Sequence, residues 1–141
     1  MSDNYELEHN TNIETPLRQM MSRYPFIEGI FAATADGVPI VKVISPESTI
    51  DLQSNESDYP ICFSVASEYA SHISIGELKS FISVHRKYTY LLIYERFLVV
   101  TVVARTGNEG LLNQITPQLY ASFISLSHEV ENPTEMESNA Y

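Results

Sequence analysis

Apolar residues recur at helical spacing over Ile13, Leu17, Met20, Met21 and Tyr24, which predicts a helix with its start near Thr15-Pro16. Threonine is a good N-cap, and proline is tolerated at the first helical position. Tyr24-Pro25 should end it, because the residue before a proline avoids the α region. Two apolar runs follow, Phe26–Thr34 and Val38–Ile44, separated by Ala35-Asp36-Gly37. That is a hairpin signal, since Asp-Gly supplies the positive φ of a tight turn. Gly29 inside the first run implies close packing by a neighbouring element. Residues 45–58 are a polar loop, long for a compact domain. Pro60 then opens a second helix expected to reach Ser74. Ile61, Val65, Tyr69 and Ile73 repeat every four residues, Cys62, Ala66 and Ala70 widen the stripe, and Gly76 is the expected stop.

The pattern changes to strict alternation after Gly76. In Lys79–Arg86, Phe81, Ser83 and His85 share one side and Ile82 and Val84 the other. In Tyr88–Tyr94, Tyr88, Tyr90, Leu92 and Tyr94 oppose Thr89, Leu91 and Ile93. Phe97–Val103 is apolar on both sides, the mark of a central strand covered above and below. Leu111, Ile115, Leu119, Phe123 and Leu126 predict a last helix, either kinked at Pro117 or restarted with Thr116 as its N-cap. The order α-β-β-α-β-β-β-α places the chain in the α+β class, with a five-stranded antiparallel sheet and helices on both faces.

Charge divides the chain into a body and two ends. The 141 residues carry a net charge of −10. Asp3, Glu6, Glu8 and Glu14 lie in the first fifteen residues without a base, and Glu129, Glu131, Glu135 and Glu137 lie near the other end. Residues 16–128 hold all eight bases and ten acids. The expected organisation is therefore a domain over 13–128 between acidic tails, 1–12 and 129–141, that cannot bury enough apolar surface to order themselves. The acidic balance argues against nucleic acid as a partner, because that binding depends on Lys and Arg at phosphates. It equally disfavours direct contact with an anionic membrane. No apolar run approaches the roughly 20 residues of a membrane helix. With an acidic start and Ser2 after Met1, neither a secretory signal nor N-myristoylation is expected.

Candidate chemistry is sparse. Cys62 is the only cysteine, and His9, His72, His85 and His128 have no metal-ligand spacing. Cys62 in a first helical turn is more readily a small packing residue than a nucleophile. Thr106-Gly-Asn-Glu-Gly110 lacks the lysine and spacing of a phosphate loop. No catalytic residue, metal site or cofactor is expected, and the chain reads as non-enzymatic. Binding features are stronger. The strand 79–86 should lie at a sheet edge, neither short nor blocked by proline, and so open to another chain. In the helix 60–74, Ala66, Ala70, Ser67 and Ser71 form a small-residue face that would let a second helix approach closely.

Ile27-Glu-Gly-Ile-Phe31, Asp36-Gly-Val-Pro-Ile-Val-Lys-Val43, Lys79-Ser-Phe-Ile82 and Phe97-Leu-Val-Val100 with Ala104, taken in that order, resemble the roadblock family (dynein light chain type). Within it they are similar to the MAP-kinase scaffold subunits of Ragulator complexes. The resemblance covers about residues 14–128; Pro117 and the acidic ends depart from the family pattern. It implies a scaffold subunit that heterodimerises with a second roadblock-domain protein by packing central helices and joining edge strands. The implied dimer interface is Cys62, Val65, Ala66, Tyr69, Ala70 and Ile73 on the helix with Lys79, Phe81, Ser83 and His85 on the strand. Other implied partners are Ragulator-like subunits, Rag-type GTPases in TOR signalling, and a MAP kinase kinase with its MAP kinase. The implied location is the cytoplasmic face of late endosomes and lysosomes, reached only indirectly through partner subunits. The alternatives are another roadblock-type protein, a dynein light chain or a homodimeric small-GTPase regulator, or a longin-like trafficking module. Proline at Lys79 or Phe81 is expected to break edge pairing and spare the fold.

Overall fold

Seven successive buried residues, Leu98 to Ala104, make β5 (Leu98–Arg105) the centre of the sheet. The structure, a computed structural model, describes the backbone of residues 2–48, 58–95 and 97–131 and the side chains of 13–48, 58–95 and 97–124. β5 pairs on one side with β1 (Ile27–Thr34) and on the other with β4 (Tyr88–Glu95). β2 (Pro39–Ile44) and β3 (Ser80–Val84) complete the antiparallel order β2-β1-β5-β4-β3. The α+β reading with five antiparallel strands therefore holds. Gly29 stands beside a bulge between β1 and β5, and Gly37, with φ of 96°, turns the first hairpin. Thr34 holds that turn, its carbonyl accepting from Gly37 N–H and its hydroxyl accepting from Val38 N–H.

α1 (Ser2–Arg23) and α3 (Glu109–Glu131) cover one face. Leu17, Met20 and Met21 from α1 meet Leu112, Ile115, Leu119 and Phe123 from α3 over Ile30, Val43, Leu91, Ile93, Val100 and Val102. Each fully buried Leu, Ile or Phe there contributes roughly 1.5–3 kcal/mol. α2 (Asp58–His72) covers the other face, over Phe31, Leu92, Val99 and Val103.

Several expectations shift. α1 begins at Ser2, upstream of Thr15-Pro16, and takes in residues 2–12 that composition assigned to a tail. No glycine or proline precedes Pro16 to break the helix. At the other end, 129–131 belong to α3, while 132–141 and most of the 45–58 loop lie outside the described residues. α3 neither breaks nor restarts at Pro117. Thr116 is not a cap: its hydroxyl donates back to Leu112 O at 3.1 Å. The apolar contacts of Ile115 and Leu119 on either side outweigh the ~3 kcal/mol that an interior proline costs. Leu112, rather than Leu111, takes the inward position. The interval from 112 to 123 is close to three turns of 3.6 residues, whereas a strict four-residue repeat drifts around the helix.

The start of α3 is tied to the sheet. Glu109 Oε1 accepts from the Thr89 hydroxyl at 2.9 Å and from Gly107 N–H at 3.0 Å. The Thr106 hydroxyl donates to His85 O at 2.7 Å. Thr89 is thus a fully buried polar residue with its hydrogen bond made.

Candidate partner interface

α2 docks on the sheet through Tyr59, Pro60 and Phe63. Phe63 stacks between Phe81 and Tyr94, with ring centres at 5.9 and 5.4 Å, and Tyr59 lies against Phe31 and Tyr90 at 5.8 and 5.7 Å. The four-residue stripe points the other way. Ile61, Val65, Tyr69 and Ile73 are 59%, 47%, 72% and 65% exposed. Ala66, Ser67 and Ala70 are half-buried and continue the inward face set by Tyr59 and Phe63. Of the small-residue face expected to await another helix, Ala66, Ser67 and Ala70 thus turn toward the sheet, while Ser71 stays exposed. The sheet beneath α2 already carries bulky rings, so the helix approaches it with alanine and serine. Of the residues implied for a dimer interface, Cys62, Val65, Tyr69 and Ile73 lie exposed, and Ala66 and Ala70 turn toward their own sheet. Cys62 is accordingly not a core packing residue.

β3 lies at the sheet edge, as the alternation predicts, and pairs only with β4 among the described residues. Its hydrogen-bond parity follows from both ends of the ladder. Lys79 O accepts from Tyr94 N–H at 2.8 Å, and His85 N–H donates to Tyr88 O at 2.9 Å. With continuous register, Phe81 and Ser83 also direct their backbone groups at β4, and Ser80, Ile82 and Val84 direct theirs outward. Proline at Lys79 or Phe81 would therefore strike the β3–β4 ladder instead of the free edge. Lys79 itself is exposed and pairs with Glu77 at 3.4 Å.

The other sheet edge, β2, carries Pro39 and Lys42, two of the devices that discourage edge pairing. β3 reads Ser-Phe-Ile-Ser-Val and has neither. Phe81, Ser83 and His85 face α2, and with Asp58, Tyr59, Cys62, Tyr90 and Leu92 they line a cavity of about 240 Å³. Ser83 Oγ and His85 Nε2 are 2.7 Å apart, and the His85 ring meets Tyr90 edge-on. The Tyr59 hydroxyl is buried, with the Tyr90 phenol as its polar neighbour and no hydrogen bond of standard length among the described residues. Sequence reasoning missed Tyr59, Tyr90, Ser80, Ile82 and Val84 as contributors to this surface; for the last three the sequence held no signal, because backbone parity is set by the pairing with β4. A larger cavity, about 350 Å³, lies between α1 and the end of β2, lined by residues such as Arg18, Ser22, Ser45 and Glu47. Among the described residues no cluster of His, Cys, Asp and Glu could hold a metal ion, and no helix is long and apolar enough to cross a membrane.

A family model described as "Mitogen-activated protein kinase kinase 1 interacting" matches residues 11–130. No curated protein matches by sequence. Similar solved structures include the gliding protein MglB of Thermus thermophilus, with TM-score 0.74 and 7% identity over 85% of this chain and 91% of that one. Myxococcus xanthus MglB gives TM-score 0.70 and 15% identity over 86% and 97%. A Roadblock/LC7 domain from Streptomyces avermitilis gives TM-score 0.58 and 11% identity over 70% and 83%. At such identities the structures speak for the fold alone.

Proposed function

The chain belongs to the mitogen-activated protein kinase kinase 1 interacting family and has a roadblock-type fold, and we propose that it is a non-enzymatic adaptor that works as half of a heterodimer. The supporting observation is the unfinished side of the molecule. An apolar stripe on α2 faces outward next to an edge strand without charge or proline, and the two surfaces adjoin. A second roadblock-domain chain fits both at once, its helix on the stripe and its strand on the outward groups of Ser80, Ile82 and Val84.

The family description supports a MAP kinase kinase as a further partner, with its MAP kinase brought alongside. The sequence resemblance extends the proposal to a Ragulator-like assembly on the cytoplasmic face of late endosomes and lysosomes. There the pair would support Rag-type GTPases and TOR signalling, and membrane attachment would come through other subunits.

The test is the light-scattering mass of the purified chain, alone and co-expressed in turn with each roadblock-domain protein of the same organism. A one-to-one complex formed in preference to self-association is expected. Val84→Pro, which removes an outward backbone N–H, should prevent that complex while the chain stays folded. A homodimer indifferent to every such partner would move the function to a light chain or a GTPase regulator. Co-precipitation of a MAP kinase kinase with the heterodimer, lost with Val84→Pro, would place the kinase on the assembled pair.

A further inference from the structure

The hairpin tip Arg86-Lys87 continues the free edge of β3, just beyond Val84 and its outward backbone groups. Both side chains are exposed, and neither has an ion pair or hydrogen bond among the described residues. Other bases are answered: Arg18 pairs with Glu14, Lys79 with Glu77 and Arg105 with Glu28. Arg23 has no acid among the described residues either, but it stands in the last turn of α1, where the helix dipole favours a cation. Acids near the tip are turned elsewhere. Glu28 is held by Arg105, Glu109 accepts from Thr89 and Gly107, and Asp58 lines the α2 cavity. In a chain of net charge −10, two adjacent cations thus stand unanswered beside the proposed interface.

The tip is fixed from behind. The Lys87 carbonyl accepts from Thr106 N–H at 3.0 Å, and His85 N–H donates to Tyr88 O at 2.9 Å. The Thr106 hydroxyl donates to His85 O at 2.7 Å. All three bonds use the backbone of the turn, so the two cations are held in place without their side chains being needed for it. A strand joining β3 in the antiparallel sense of the rest of the sheet brings the turn that enters it beside this tip. A second copy of this chain would bring Glu77 and Lys79 there, charges already paired with each other at 3.4 Å. On the heterodimer reading given above, we infer that Arg86 and Lys87 receive an acidic segment of the second roadblock chain, Asp or Glu in the turn entering its edge strand. Exposed cations at an interface rim act mainly on the rate of encounter and on register.

The experiment follows association and dissociation with the roadblock partner found by co-expression, for the parent and for Arg86→Gln combined with Lys87→Gln. The unfolding midpoint should not move, because neither side chain makes a hydrogen bond or ion pair among the described residues. At an ionic strength of about 0.01 M the variant should associate roughly tenfold more slowly, with dissociation changed less. The gap should close at about 1 M, where charges are screened within about 3 Å. Arg86→Glu combined with Lys87→Glu should weaken binding further, and acid-to-Lys changes in the partner's entering turn should restore it. Equal association rates at low ionic strength, a gap that salt leaves unchanged, or a partner with no Asp or Glu in that turn overturns the acidic contact and leaves the heterodimer standing. Failure of the parent chain to bind any roadblock-domain protein overturns both.

Discussion

On the α1 and α3 side of the sheet, Leu17, Leu112, Ile115, Leu119 and Phe123 are all but sealed from water. On the α2 side, Tyr59, Pro60 and Phe63 bury themselves while Ile61, Val65, Tyr69 and Ile73 stay in solvent. The first face has two helices whose apolar stripes end on their own sheet. The second has one helix that docks through Tyr59, Phe63 and small residues and keeps a further row of large apolar side chains outside. The first face accounts for why the chain folds, and the second for what it is proposed to hold.

Substitutions should separate the two faces, beginning with the largest effect. Phe123→Ala removes a fully buried ring from the sealed face and should cost ~3–5 kcal/mol in denaturant unfolding, whether or not a partner is present. Phe63→Ala on the open face should cost about 3 kcal/mol, the lower end for such a deletion, because its neighbours Phe81 and Tyr94 are only partly buried and can relax. Equal losses at both positions would mean that the open face is as tightly built as the sealed one. Val65→Asp should leave unfolding of the isolated chain within ~0.5 kcal/mol yet weaken heterodimer formation by about 2 kcal/mol, read by sedimentation of the mixture. A marked drop in monomer stability instead would show that the stripe packs within the chain.

The smallest expected effect concerns pH. The Gly107 backbone N–H, then Glu109's own N–H and the Thr89 hydroxyl hold the Glu109 carboxyl below its ordinary value of 4.5. A carboxyl depressed in the folded state stabilises above the unfolded value and loses that contribution as pH falls through the folded one. Unfolding curves should therefore weaken more steeply below pH 4.5 in the parent than in Glu109→Gln. Identical acid limbs would remove Glu109 from the ties that hold the start of α3.

Much of this was readable from residue order. The alternation put Phe81, Ser83 and His85 on one side of their strand and Tyr88, Tyr90 and Tyr94 on one side of theirs, and the structure packs Phe81 and those tyrosines together. The unbroken apolar run after Phe97 announced the central strand. Pro117 misled, because its cost is local while the compensating contacts of α3 come from distant strands. The backbone parity of β3 was not visible either, since it depends on which residue of β4 each one meets.

By itself, then, the sequence determined the number and order of the elements, the faces of the strands and the edge position of β3, because these follow from short-range periodicity. The tertiary structure alone decided which side of α2 meets the sheet. One side of that helix offers Ile61, Val65 and Tyr69, with Ile73 just past its end, and the other Tyr59, Phe63, Ala66 and Ala70, so neither is polar enough to be excluded from a core. The choice fell to the shape of the sheet, where Phe31, Phe81, Tyr90 and Tyr94 fill the space a second row of large side chains would need.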